Sequence, residues 1–265
     1  MDLGLRGKTA IVTGGASNIG HAIVRGLAAE GVGVMIADID AAQIDRVVAE
    51  GRDAGWTVIG TRTDVSDVDS VKEMMAASID GLGHVDILVN GAGWTIDRLF
   101  LEKPRKEWEK EVNVNLWGPI NCIEAVAPHM VERKQGRIVS IGSDAGRVGE
   151  YREAVYSACK AGVAVLTKSL AREFGRYGIT VNDVSPGLTL PDPATEVGEL
   201  SLWHRDSPQA QLFTRPEILE RAAKRYPLGR LGRPTDVVGA VLLLVSEPGS
   251  FITGQAISVN GGYSM

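Results

Sequence analysis

Tyr156 and Lys160 stand four residues apart in the stretch Tyr-Ser-Ala-Cys-Lys. On a helix that spacing puts both side chains on one face. A phenol keeps its proton to about pH 10. An ammonium beside it favours the phenolate, so the spacing predicts a tyrosine able to give and recover a proton nearer neutrality. Ser143, just past an apolar run at 136–141, can bring a hydroxyl to the same place. Phenol, ammonium and hydroxyl together suit a carbonyl becoming an alcohol, or the reverse. Taken alone, such a Tyr/Lys pair is more often a surface feature of a helix. The elements around it must decide.

Residues 9–13 read as a short apolar strand running into Gly14-Gly-Ala-Ser-Asn-Ile-Gly20. An amphipathic helix follows, with Ile23, Val24, Leu27 and Ala28 on one side, and stops at Gly31. Residues 32–37 form a second strand that ends in Asp38. Strand, glycine turn, helix, strand and terminal acid make a dinucleotide-binding arrangement. Glycines let the backbone approach the phosphates, and the helix N-terminus offers amide donors and partial positive charge. Gly14, Ser17, Asn18, Ile19 and Gly20 are therefore expected to cradle a pyrophosphate. Asp38 is placed to accept from the adenosine-ribose hydroxyls. Its carboxylate would repel a 2'-phosphate, and no Arg or Lys stands at 15–18 or 39, which favours NAD over NADP.

Further strands are expected at 57–61, 86–89, 136–141, 180–184 and 255–259, with helices at 41–54, 67–79, 106–133, 156–177 and 234–246. This alternation predicts an α/β fold of the Rossmann type, one domain over residues 1–265. Asp64, followed by Val65, lies just past the third strand, where it can accept from an adenine amino group or serve only as a turn residue. Asn90, Gly91 and Ala92 close the fourth strand, small enough to leave room for ribose and nicotinamide. Asn115 lies inside the expected helix 106–133, where Asn costs stability, so a polar task is expected of it. Pro119 should open that helix near Asn115.

Pro186 and Gly187 follow the sixth strand. From 188 to 227 the periodicity fails, prolines recur at 191, 193, 208, 216 and 227, and a helix is expected only at 216–225. So long an irregular stretch after a strand end reads as a substrate lid. Trp203, His204, Arg205, Phe213 and Arg215 are its candidate contacts. Trp94, Asp144 and Tyr151, on the loops beside the Ser143 and Tyr156 site, are candidates for the same substrate.

Composition bounds the rest. Formal net charge is -5 and pI about 5.5, which argues against a nucleic-acid surface. Hydrophobic residues make up 44% of 265, enough for a substantial core. Cys122 and Cys159 have no metal-ligand spacing and read as reduced core thiols, so a cytoplasmic location is expected. The four histidines form no metal motif, and no metal is expected. The first strand begins too early to leave room for a signal peptide. No apolar run approaches the ~18 residues of a membrane span.

The chain closely resembles the short-chain dehydrogenase/reductase family along essentially its whole length. The likeness rests on Thr13-Gly14, Asn18-Ile19-Gly20, Asp64-Val65, Asn90-Gly-Ala-Gly93, Asn115, Ser143, Tyr156 with Lys160, Pro186-Gly187, and Gly254-Gln255 to Gly261-Gly262. The resemblance implies a doubly wound parallel sheet of seven strands, usually in a homotetramer. It implies Tyr156 as acid/base, Ser143 holding the carbonyl oxygen, Lys160 binding the nicotinamide ribose and lowering the Tyr pKa, and Asn115 anchoring a relay water. The family commonly has Gly where this chain has Asn18, and Asn tolerates the left-handed conformation that follows. Family members also carry a Thr a few residues after Pro-Gly, touching the nicotinamide carboxamide. Thr189 is the candidate here, and Pro191 occupies the usual site. Ser143-Asp-Ala-Gly-Arg-Val-Gly149 and the segment 154–160 resemble 2-hydroxycyclohexanecarboxyl-CoA dehydrogenases and related hydroxyacyl-CoA enzymes.

The expected function is hydride transfer between NAD and a secondary alcohol or ketone, possible substrates being cyclic or aromatic hydroxy compounds and hydroxyacyl-CoA thioesters. A carbonyl reductase working mainly from NADH to ketone is the near alternative. A non-catalytic dinucleotide sensor would lack the Tyr or the Lys. A dehydratase or epimerase would need another acid/base pair, for which only Asp97 offers itself.

Overall fold

The structure, a computed structural model, describes residues 2–192 and 197–265. Strand and helix alternate from the start: β1 (Thr9–Thr13), α1 (Asn18–Ala29), β2 (Gly33–Asp38), α2 (Ala41–Asp53), β3 (Val58–Arg62), α3 (Val68–Leu82) and β4 (Ile87–Asn90). Then come α4 (Arg105–Val112), α5 (Gly118–Arg133), β5 (Gly136–Ile141), α6 (Ala145–Val148), α7 (Ala154–Phe174) and β6 (Ile179–Pro186). The last part holds α8 (Pro208–Leu212), α9 (Pro216–Ala223), α10 (Pro234–Val245) and β7 (Ala256–Val259). Among the described residues the seven strands form one parallel sheet in the order β3-β2-β1-β4-β5-β6-β7. The doubly wound sheet is the one expected.

Helices cover both faces, so the central strands are apolar at nearly every position. Alternate residues serve opposite cores. Val12, Ile36 and Val89 pack with Ile23 and Leu27 of α1 and Val241 and Leu244 of α10. Ile11, Met35, Leu88 and Ile138 pack with Met74, Val126 and Met130 from α3 and α5. Each such fully buried side chain stabilises the fold by about 1.5–3 kcal/mol. Cys122 and Cys159 are free and buried, and burial pushes the Cys122 thiol up to about 12. Chain order reverses between β1 and β4, which opens a crevice at the carboxyl ends of the strands.

Three elements differ from expectation. The single helix 106–133 is two, joined by a π turn at Asn113–Trp117. Pro119 has no N–H for the carbonyl four residues earlier, so the helix widens at Asn115. A short helix, α6, stands between Ser143 and Tyr151, where no helix was expected. The lid carries α8 besides the expected helix: Ser207 accepts from the Ala210 amide at 3.0 Å, a Ser-Pro start that the proline count had obscured. Pro193 lies outside the described residues. No helix among the described residues is long and apolar enough to cross a membrane.

Candidate active site

A cavity of about 680 Å³ opens at the carboxyl ends of the sheet. Gly14, Ser17, Asn18, Ile19, Gly20, Asp38, Asp64 and Val65 line one end. Asn18 takes φ +44°, the left-handed conformation its side chain tolerates. A Cβ on Gly20 would lie 2.0 Å from the Gly14 carbonyl oxygen, so only glycine lets the helix start this close to the turn. Asp38 accepts from the Ala16 amide at 3.0 Å and the Asp40 amide at 3.1 Å, tying the glycine turn to the end of β2. Burial nonetheless pushes its carboxyl up. Asp64 is both cavity wall and turn residue, its Oδ1 accepting from the Ser66 amide and hydroxyl. The Asn18 side-chain oxygen is buried without a protein partner, an amide poised to bond a ligand. This end fits a dinucleotide.

In the middle, Gly91, Ala92, Ser143, Tyr156, Lys160, Pro186, Gly187 and Thr189 line the same cavity. Asn90 does not; its amide donates to Ser140 at 3.5 Å beneath the wall. The Tyr156 hydroxyl is hydrogen-bonded to Ser143, whose Oγ also accepts from the Ala145 amide at 3.1 Å. Lys160 Nζ donates to the Ile141 carbonyl at 2.8 Å and stands 5.6 Å from the Tyr156 ring centre. Asn115, fully buried, lies on the cavity's far side of Gly93: a Cβ there would be 3.3 Å from Asn115 Oδ1 and 3.8 Å from Lys160 Nζ. Thr189 bonds the Gly187 carbonyl at 3.0 Å and pins the start of the lid to Gly232.

The charges correct one expectation. Burial raises the Tyr156 phenol above its ordinary range, the Glu153 carboxyl adds to the rise, and the Ser143 hydrogen bond opposes it. Lys160 is itself lowered to about 8 by burial, against the pull of Asp183. Asp183, fully buried on β6, is raised to about 6, again by burial.

At the far end Trp94, Tyr151, Trp203 and Phe213 line the cavity. Trp203 and Phe213 rings are 5.8 Å apart, and Lys110 sits 4.3 Å above the Trp94 ring. Asp144 also lines it, but its carboxylate is occupied by Ser258 and Asn260, so it braces β7 and leaves little for a substrate. His204, Arg205 and Arg215 are not among the lining residues; they pair with Asp206 and Glu217. Sequence reasoning missed Arg225 and Tyr263, which also line the cavity. Tyr263 returns because Gly261 and Gly262 both take positive φ, a paired-glycine signal visible in the sequence. Its hydroxyl donates to Glu150 at 2.6 Å. Among the described residues no cluster of three or more His, Cys, Asp or Glu could hold a metal.

This seven-stranded sheet and its cavity agree with a family model described as short chain dehydrogenase, which matches residues 8–200. The chain belongs to that family. It is similar to the 3-oxoacyl-(acyl-carrier-protein) reductase FabG of Staphylococcus aureus, 36% identical over 97% of this chain and 98% of the relative. It is equally similar to the (2S)-((R)-hydroxy(phenyl)methyl)succinyl-CoA dehydrogenase subunit BbsD of Thauera aromatica, 36% identical over 99% of both chains. Among solved structures, that described as "Crystal structure of gox2181" superposes with a TM-score of 0.88 at 35% identity, over 99% of this chain and 97% of that one. The BbsD match bears out the likeness to hydroxyacyl-CoA dehydrogenases. The chain is thus an oxidoreductase acting on hydroxyl or keto groups with a nicotinamide dinucleotide.

Proposed function

We propose that the protein is an NAD-dependent enzyme that interconverts a secondary alcohol and a ketone, with a cyclic or aromatic group or a hydroxyacyl-CoA thioester as substrate. The observation that carries the reading is the Tyr156 hydroxyl bonded to Ser143 inside a cavity whose opposite end is walled by Asp38. When bound, the dinucleotide supplies the hydride acceptor or donor. Asn18 and the amides at the start of α1 would hold its phosphates, and Asp38 its adenosine ribose. The cations lining the cavity among the described residues are Lys110, Arg152, Lys160 and Arg225, and Asp38 and Asp40 line it together. A 2'-phosphate would face two carboxylates there, which supports NAD.

Ser143 and Tyr156 grip the substrate oxygen. Tyr156 gives its proton to a ketone oxygen or takes one from an alcohol. Lys160, held by the Ile141 carbonyl, reaches the ribose and joins Asn115 in carrying the proton to water. The Trp94, Trp203 and Phe213 rings suit a flat or cyclic substrate body. BbsD, similar along the whole chain, is named as acting on an acyl-CoA with a phenyl-bearing carbinol, which supports this class.

The same reading makes residues 1–265 one catalytic domain with a lid over 188–227, assembled as a homotetramer in the cytoplasm. Trp117 and Val165, exposed on neighbouring elements, would be covered in such an assembly. The test is a screen of cyclic secondary alcohols, hydroxy acids and hydroxyacyl-CoA thioesters with NAD and NADP side by side. Formation of NADH with a cyclic or acyl-CoA alcohol, at least about tenfold better than with NADP, is expected from the charge argument. Equal or better use of NADP refutes the role given to Asp38.

A further inference from the structure

The lid reaches well beyond the substrate end of the cavity. Its turn from Gly198 to Trp203 lines the cavity together with residues of the dinucleotide end. Gly198 is buried against the start of α2: a Cβ on it would lie 2.4 Å from Asp40 Oδ2 and 2.4 Å from Gln43 Cγ. Only a residue without a side chain lets the lid come this close. Asp40 is itself fixed, since its amide donates to Asp38 Oδ1 at 3.1 Å and its Oδ1 accepts from the Gln43 amide at 3.2 Å. Three residues on, the Ser201 amide donates to the Gly198 carbonyl at 3.0 Å, and Ser201 Oγ accepts from the Ser17 hydroxyl at 3.3 Å. Ser17 stands at the N-cap of α1 yet makes no side-chain cap bond. Its hydroxyl serves the lid, and it leaves the first amides of α1 to a phosphate.

We propose that Gly198 and Ser201 belong to the dinucleotide site: this turn of the lid closes over the adenosine end and holds the ribose between itself and Asp38. The inference rests on the proposed placement of the adenosine ribose at Asp38.

Two separate contacts carry it, and they flank that carboxylate. Asp38 Oδ2 accepts from the amide of Ala16, the neighbour of Ser17, and Asp38 Oδ1 from the amide of Asp40. A lid that rests on both Ser17 and Asp40 spans Asp38, so a ribose bonded to Asp38 lies beneath it. Closure keeps water from those bonds, and hydrogen bonds to a carboxylate strengthen as the local dielectric falls. The same turn serves the substrate end, where the Trp203 amide donates to Ser201 Oγ at 3.2 Å and the Trp203 ring faces Phe213. One segment therefore covers both ligands, and the dinucleotide leaves only when Gly198 lifts from Asp40.

The experiment measures binding of ADP-ribose, which carries the adenosine end and both phosphates but no nicotinamide, by calorimetry on the parent and Gly198→Val. The variant should bind it at least about fivefold more weakly, the low end of what overpacking a close contact costs. Thermal unfolding without ligand shows whether the variant is folded. In the parent, hydrogen exchange at 198–203 should slow when ADP-ribose binds, a reading that needs no variant. Unchanged affinity in folded Gly198→Val overturns the proposal. If the variant does not fold, exchange at 198–203 that ADP-ribose leaves unaltered overturns it. A parent that binds 2'-phospho-ADP-ribose as tightly as ADP-ribose would instead defeat the reading of NAD as cofactor, so the two failures are distinct.

Discussion

The Asn115 side chain closes a two-way bridge with the backbone of Trp94: Oδ1 accepts from the Trp94 amide at 3.1 Å and Nδ2 donates to its carbonyl at 2.6 Å. Nδ2 also donates to the Glu111 carbonyl at 2.9 Å. The side-chain amide is thus used by the protein, and any relay water would have to be held by the Asn115 main chain. Asn115→Ala leaves part-buried backbone groups of Trp94 unpaired, each costing no more than the about 1–3 kcal/mol of a buried group left without a partner. Thermal unfolding of the variant should show a clear loss of stability, with turnover falling alongside. An unchanged midpoint would mean that the bridge contributes nothing.

Behind this bridge lies an ion pair between Lys103 and Glu111, both almost fully buried. Removing one partner strands the other charge in the interior, which typically costs about 3–5 kcal/mol. Lys103→Met should therefore lower the midpoint of denaturant unfolding far more than Arg105→Ala, which breaks only the exposed pair with Glu109. Comparable losses in the two variants would contradict the burial argument.

Among the described residues Asp183 is the carboxylate that acts on Lys160, and it opposes the effect of burial. Gly142 makes room for it, since a Cβ there would lie 2.4 Å from Asp183 Oδ2. Lys160 keeps its proton below about 8 and loses it as pH rises through that value. Asp183→Asn removes the stabilising charge, so the loss should come at lower pH, by about one unit for a neighbouring opposite charge. NADH affinity followed by fluorescence between pH 6 and 9 measures this, because a neutral Lys160 holds the ribose more weakly. A parent-like pH dependence in the variant would show that Asp183 does not support Lys160.

The fold was legible because its signals are local. Short apolar strands such as 9–13, the glycines at 14 and 20, and Pro119 each state their structural consequence within a few residues. The helix break at Asn115 was visible as a conflict between an Asn, a Pro and a helical pattern. What stayed hidden depends on residues far apart in the chain. The loops at Asp97 and Arg152 are tied together by hydrogen bonds, and nothing in either segment announces the other. Asp144 read as a substrate residue because it follows Ser143; its partners Ser258 and Asn260 come from the opposite end of the sequence. The direction of the Tyr156 shift failed for the same reason: spacing reveals Lys160, whereas burial and Glu153 emerge only in three dimensions.

The central claim is that Tyr156 moves the proton. It is tested most directly by comparing the parent and Tyr156→Phe in one assay: reduction of a cyclic ketone followed by loss of NADH absorbance at neutral pH, with NADH binding measured on the same samples. The account predicts that the variant binds NADH much as the parent does and loses turnover by well over the ~100-fold that a positioned acid typically contributes. Turnover within about tenfold of the parent, with binding intact, would contradict it, because a general acid contributes more than that.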